Sequence, residues 1–442
     1  MRIGASSREA AGTAFRSLSN RNFRLFWFGQ LVSLAGTWMQ DVALSWLVLS
    51  LTESPVALGL TMTIRFFPAL VFSVFGGVLA DRLPKRNTMV AAQLVQLAVA
   101  LALAILTSTD LVTVALIYIL AGLRGLVDAI ETPTRQSFVP EMVGAANVSN
   151  AIALNSTLFN AARVVGPAIG AVVIGTLGMA ACFYINAVSF LAVIIALLAM
   201  RESELQSAPT ASGQKLLGEL ADGFRYARST PEVLLILIVV GALGTFGYNF
   251  TVLLPLVAKY LAHSGVSGLA MLTTSLGIGA VVGGLIAAYR GKPGRGLMFA
   301  AAACFSVLQF GLGLSNSQAV STGLMFAIGL SGVLFMTSAN ARLQLMVPEN
   351  MRGRVIGMYI LLFLGTTPIS SVIIGQLAER VGVQETVLTM GAICLAGVLA
   401  GFAYAWRVVP APGDVIRPAT IAVAAEARTR ERSEVLDGTP SV

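Results

Sequence analysis

Six ionisable residues interrupt segments that are otherwise apolar: Asp41, Arg65, Arg124, Asp128, Glu131 and Arg163. A charge at bilayer depth costs about 2.5–3.5 kcal/mol on insertion scales, so each needs a partner, a wet cavity or a task. The task open to a carboxylate there is proton exchange. Desolvation favours its neutral form and an adjacent guanidinium favours its charged form, so a solute and a proton can compete for one site. Asp41 lies 17 residues after Arg24 and Arg65 lies 16 before Asp81, or about 25 and 24 Å of helical rise, so the two share a depth and are expected to pair. Arg124 and Asp128 are four apart and share a helix face. Arg163, about 21 Å into its own span, is expected to surround one cavity with them. Asp41 and Asp128 are the proton-exchange candidates by position. Glu131, closer to a helix end, fits a local network with Arg135. Satisfied ion pairs that only pack the helices would use the same residue types.

The elements that carry these residues are membrane helices. The 442-residue chain is 56% hydrophobic and only 11% charged, with a mean hydropathy of +0.82, whereas soluble domains carry about 25% charged residues. Lipid offers the backbone no hydrogen bonds, so spans must be helices or a closed barrel, and continuous apolar runs select helices. The runs predict twelve spans at about 24–50, 56–80, 88–107, 112–133, 149–175, 178–199, 232–257, 266–288, 297–314, 319–340, 355–378 and 384–406. With the N-terminus inside, cytoplasmic segments hold 24 of the 29 Lys and Arg residues, which predicts both termini on the cytoplasmic side of an inner membrane. The net charge of +8 is then topogenic, and nucleic acid is not an expected partner. Five segments follow: a lead-in (1–23), a six-helix bundle (24–199), a polar linker (200–231), a second six-helix bundle (232–406) and a solvated tail (407–442).

Trp38, Trp46 and Phe66 in the first two spans and Phe246, Tyr248, Asn249 and Phe250 in the seventh are expected to line opposite walls of an apolar pocket. Such a pocket suits lipophilic or amphiphilic solutes, whereas a sugar needs many polar partners. Cys182, Cys304 and Cys394 lie in separate apolar runs and form no metal-ligand spacing. Neither a nucleophile–base set nor a phosphate loop is visible, and the single histidine leaves acid–base catalysis short of groups. Neither an enzyme nor a bound cofactor is expected.

Between the second and third spans stands Gly77-Val78-Leu79-Ala80-Asp81-Arg82-Leu83-Pro84-Lys85-Arg86. This order resembles the loop 2–3 motif of the major facilitator superfamily. Pro133–Glu141, Asn150–Ser156 and Ala162–Gly170 resemble the subgroup that includes the enterobactin exporter and macrolide efflux pumps. The halves repeat as that family's do. Gly76–Ala80 matches Gly283–Ala287 at an offset of 207, and Val139-Pro140-Glu141 matches Val347-Pro348-Glu349 at 208. In the second copy Ala288 replaces Asp81, while Arg290, Lys292 and Arg295 keep the charge.

The resemblance implies an all-α membrane protein of twelve helices in two pseudo-symmetric bundles, acting as a monomer. It implies a cytoplasmic gate of Gly77, Asp81, Arg82, Lys85 and Arg86, with Asp81 near the start of the eleventh helix and Arg135 as an ionic partner. It also marks Gly166-Pro167-x-x-Gly170 as a kinked segment of proton-exchanging exporters. The function expected on this basis is export of a small lipophilic solute of the drug or siderophore class, energised by a proton gradient. A proton- or sodium-coupled importer or a lysophospholipid flippase of the same fold is the alternative, and a membrane scaffold is a more distant one.

Overall fold

The computed structural model describes residues 15–206, 216–291 and 294–408; side chains at 73–78, 80, 81, 216–221, 350, 364, 407 and 408 also lie outside that description. The N-terminal half contains α1 (Arg21–Thr52), α2 (Pro55–Arg82), α3 (Lys85–Ser108), α4 (Val114–Val143), α5 (Val148–Leu177) and α6 (Met179–Leu198). A linker helix, Leu216–Ser229, precedes the second half. There α7 comprises Pro231–Ala242, a π-turn Leu243–Gly247, Phe250–Leu256 and a second π-turn Val257–Leu261. Next come α8 (Gly265–Arg290), α9 (Arg295–Gly313) and α10 (Gln318–Met346). A π-turn, Leu361–Gly365, divides α11 into Glu349–Ile360 and Thr367–Val381, and α12 is Val383–Val408.

Eleven of these helices are long and apolar enough to cross a membrane. The helix α4 has the length but carries Arg124, Asp128, Glu131 and Arg135. No strand occurs among the described residues.

Three local departures from the expected spans have physical causes. Helix α4 continues ten residues past 133, through the stretch expected as a loop, because that extension buries Phe138, Val139 and Met142 against Phe23, Phe26 and Met89. Helix α7 breaks at Tyr248-Asn249, where Gly244 and Gly247 remove side chains from the tight contacts. A Cβ at Gly244 would stand 2.9 Å from the Leu362 carbonyl. The facing π-turn of α11 receives that contact, so the two breaks pack on one another.

The halves repeat each other's packing, with α2 against α4 and α8 against α10, and they meet along α2–α11 and α5–α8. The hydrogen bonds between halves cluster toward one end, where α1 turns into α2. Lys259 Nζ donates to the Leu49 carbonyl (2.6 Å) and Tyr260 Oη to the Glu53 carbonyl (2.6 Å). Glu379 accepts from Ser54 Oγ (2.9 Å) and from the Val56 N–H (3.4 Å), capping α2 from the other half. Thr63 reaches the Pro368 carbonyl (2.7 Å), and Thr274 reaches the Val164 carbonyl (3.5 Å).

At the opposite, basic end these ionic contacts on each side lie within one half. Lys85 pairs with Glu141, and Arg86 pairs with Glu202 while donating to the Leu197 and Leu198 carbonyls at the end of α6. Arg342 pairs with Glu232, and Arg354 lies 3.3 Å from Asp222 on the linker helix. Among the described residues, the hydrogen bonds that join the halves therefore gather toward one end.

Candidate functional site

Asp41 lies eleven residues before the far end of α1, and Arg65 and Arg124 lie ten residues after the far ends of α2 and α4. All three thus sit about 15 Å from that end. The close approach of α4 to α2 converts shared depth into contact. A Cβ at Gly125 would lie 2.1 Å from the Arg65 carbonyl oxygen, so only glycine permits it. Arg124 Nη1 donates to Asp41 Oδ1 at 2.9 Å, and Arg65 Nη1 is 2.8 Å from the same oxygen. Side-chain exposure is 15% for Asp41, 7% for Arg65 and 5% for Arg124, which puts one carboxylate between two desolvated cations.

Asp128 lies one turn below Arg124 and accepts from Gln96 Nε2 (2.9 Å) rather than from that arginine. It borders the same cavity as Arg65. Glu131 and Arg135 continue down the same face of α4 and stand 3.4 Å apart. Together these groups border a cavity of about 320 Å³ that runs from Arg65 and Arg124 to Arg135, with Phe66, Phe159 and Phe190 on its apolar side. Arg65 Nε, Arg124 Nε and Gln93 Oε1 are buried there with no hydrogen-bond partner among the described residues. The cavity therefore offers unfilled donors, a buried acceptor and a greasy wall.

Several expected placements differ. The cavity lies within the N-terminal half, so Phe246, Tyr248, Asn249 and Phe250 do not form its opposite wall. Asn249 is consumed internally, donating to Ser370 Oγ (3.0 Å) and Ser371 Oγ (2.8 Å) while accepting from Thr251 (3.1 Å). Phe250 is buried, and Trp46 and Phe246 pack against the core. Phe66 does line the cavity, beneath the Arg65 guanidinium at 5.1 Å. Trp38 lies outside its lining and instead carries Arg163 over its ring at 5.8 Å. Arg163 consequently does not share the cavity of Arg124 and Asp128; the close seat of Gly166 on Ala35 and Trp38 turns α5 so that Arg163 meets the indole. Helix α5 stays continuous through Gly166, Pro167 and Gly170, although Pro167 withholds the N–H that would bond the Arg163 carbonyl.

In the basic loop, Arg82 is exposed and Arg135 pairs with Glu131. The surroundings of Gly77 and the side chain of Asp81 lie outside the description, as do Lys292, linker residues 207–215 and the tail from 409. Gln93, Gln96 and Gly125 were not among the residues singled out by sequence. Two amides three apart in an apolar run were the available signal for the first pair.

Residues 12–422 match the model of the family described as transmembrane secretion effector, in the major facilitator group. The chain belongs to this family. Among the relatives of this secretion effector, the staphyloferrin A transporter of Staphylococcus aureus is 25% identical over 381 residues, spanning 84% of this chain and 94% of that protein. The multidrug efflux pump Tap of Mycolicibacterium fortuitum is 28% identical over 392 residues, spanning 86% and 94%. A solved POT family transporter in complex with 5-aminolevulinic acid superposes with a TM-score of 0.70 at 10% identity, covering 88% of this chain and 97% of that one. At that identity the likeness concerns the fold alone. The protein is thus a multi-pass membrane transporter of the facilitator fold, and not an enzyme.

Proposed function

We propose that this protein exports a small lipophilic or amphiphilic solute, of the drug or siderophore class, in exchange for protons, working as a monomer by alternating access. The observation that carries the proposal is the Asp41 carboxylate held between Arg65 and Arg124, beside a cavity bordered by a polar track along α4. In this reading the basic loops and both termini face the cytoplasm of an inner membrane. The halves are joined at the periplasmic end, and the solute enters from the cytoplasmic side. Protonation of Asp41 removes the one charge that holds both guanidinium groups and frees them to rearrange. Return of the carboxylate to its charged form restores the triad. Asp128, on the same track and held by Gln96, is the second proton-carrying group. The relatives whose names denote efflux support the outward direction.

The test is efflux of a fluorescent lipophilic dye from cells lacking their own pumps. Wild type is expected to lower cellular dye, and an ionophore that collapses the pH gradient is expected to abolish the effect. Asp41→Asn is expected to leave the protein in the membrane and remove gradient-dependent efflux. Normal efflux by both Asp41→Asn and Asp128→Asn would refute the assignment of coupling to these carboxylates. Dye accumulation driven by the gradient would instead establish import.

A further inference from the structure

Arg124 and Asp128 share one face of α4 at the spacing where opposite charges join, yet they do not pair. Arg124 turns to Asp41 at 2.9 Å, and Asp128 takes the Gln96 amide at 2.9 Å. The charges along the cavity are therefore divided unevenly. Arg65 and Arg124 have one carboxylate between them, Asp41, which leaves an excess positive charge at that end. Among the described residues no lysine or arginine lies within ion-pair distance of Asp128, which leaves an excess negative charge one turn away. Glu131 and Arg135, farther down the same face, balance each other at 3.4 Å.

Both ends also hold buried polar atoms with nothing to bind. Arg65 Nε and Arg124 Nε lack a hydrogen-bond partner among the described residues at the positive end. Gln93 Oε1 lacks one too, and Gln93 lies three residues from Gln96 toward the basic end of α3, on the side of Asp128 and Glu131. Phe66, Phe159 and Phe190 supply the apolar wall beside them. The volume of about 320 Å³ lies at the small end of organic-ligand sites, about 300–1,000 Å³, and fits a compact solute rather than a two-chain lipid. The cavity reaches the surface of the bundle, since the side chain of Arg135 is 28% exposed and Phe159 is 44% exposed.

We infer that this cavity selects a compact zwitterionic solute, whose anionic group binds Arg65 and Arg124 and whose ammonium binds Asp128 and Gln93. The inference rests on the solute-export reading and adds the charge type of the solute to it. Four residues of helix put the two charged groups about 6 Å apart. The free Nε donors of the guanidinium groups meet the anion in charge-assisted hydrogen bonds. An ammonium carries three donors and no acceptor, which matches a carboxylate beside an unfilled amide oxygen. The phenyl rings take the apolar body between them. A singly charged solute satisfies one end and leaves the other with its charge uncompensated, which is costly at bilayer depth.

The full-length protein in phosphatidylglycerol nanodiscs tests this by fluorescence binding of three probes with a common dansyl body, with empty nanodiscs as the blank. Nα-dansyl-lysine is zwitterionic, Nα-dansyl-norleucine keeps only the carboxylate, and dansylcadaverine keeps only the ammonium. Wild type is expected to bind the zwitterion about tenfold more tightly than either of the others, the value of one charge-assisted hydrogen bond. Asp128→Asn is expected to bring the zwitterion down to the affinity of the norleucine probe. Arg124→Gln is expected to bring it down to that of dansylcadaverine, and Arg124→Lys to retain most of the preference. Gln93→Leu is expected to weaken dansyl-lysine severalfold without touching the norleucine probe. A singly charged probe that binds wild type as tightly as the zwitterion would overturn the inference, as would a preference for dansyl-lysine over the norleucine probe that survives Asp128→Asn. Parallel loss of all three probes in both Asp128→Asn and Gln93→Leu would also overturn it, because the ammonium would then leave no separate mark. Weaker dansyl-lysine binding in phosphatidylcholine nanodiscs would overturn the compact solute in favour of a lipid headgroup. A zwitterion preference without gradient-driven efflux would defeat the export reading and leave this site standing; efflux without the preference would do the reverse.

Discussion

Asp41 offers one oxygen to two guanidinium groups, so its removal and the removal of either arginine are not equivalent. Asp41→Ala leaves Arg65 and Arg124 buried side by side with no charge between them. Arg124→Ala leaves a simple Asp41–Arg65 pair. Breaking a buried pair by deleting one partner costs about 3–5 kcal/mol. The melting temperature in detergent is therefore expected to fall further for Asp41→Ala than for Arg124→Ala. Equal losses would show that the triad does not act as a unit. The approach of Asp41 to Arg65 was legible from depth alone, because both helices rise about 1.5 Å per residue from ends marked by charged loops. That Arg124 joins them, and that Asp128 takes Gln96, was not legible. Depth along a helix leaves its rotation and its neighbour undetermined, and an amide carries no insertion cost large enough to draw notice.

At the scale of elements, small residues decide which helices touch. Gly125 and Gly175 both lie inside membrane helices, yet a Cβ at 125 would meet the Arg65 carbonyl oxygen at 2.1 Å and one at 175 meets nothing within 4 Å. Gly→Ala in a helix interior otherwise stabilises by about 0.5–1 kcal/mol. Gly175→Ala is therefore expected to raise the melting temperature slightly, and Gly125→Ala to lower it by pushing α4 off α2. The same sign for both would contradict the packing described. Asn249 gives a second expectation at this scale. Its amide bridges the break in α7 to Ser370 and Ser371, so Asn249→Ala is expected to cost about 1–3 kcal/mol, as for unpaired buried polar groups, while leaving gradient-driven dye efflux per folded molecule within a factor of about two, well under the shift of one hydrogen bond. A loss of efflux with stability unchanged would make Asn249 a solute-contact residue after all. The breaks themselves were invisible in the hydropathy run 232–257, which records apolar content and not hydrogen-bond register.

Over the whole molecule, the bonds between halves sit where Glu379 caps α2 and where Lys259 and Tyr260 hold the α1–α2 turn. These bonds must part if the crevice is to open at that end. Hydrogen bonds to charged groups contribute about 1.5–3 kcal/mol each, so Glu379→Ala is expected to raise the population open at that end by about tenfold or more. The readout is a cysteine placed at Thr37, which borders the cavity, in a chain with Cys182, Cys304 and Cys394 replaced. A membrane-impermeant maleimide added to intact cells should label it faster in the Glu379→Ala background. Unchanged labelling would show that these bonds do not hold the end shut.

Composition together with the continuity of the apolar runs required membrane helices, because a chain this apolar satisfies its backbone in lipid only as helices or a closed barrel, and a barrel strand alternates. The loop motif and the repeat at offsets of 207 and 208 pointed to two related halves, since both survive in the linear order of residues. The joining of Arg124 to Asp41, the bond of Asp128 with Gln96, the burial of Asn249 and the meeting of Arg163 with Trp38 belong to the tertiary structure. They depend on helix rotation and on close contacts at single glycines, and these arise only when residues distant in the chain pack against each other.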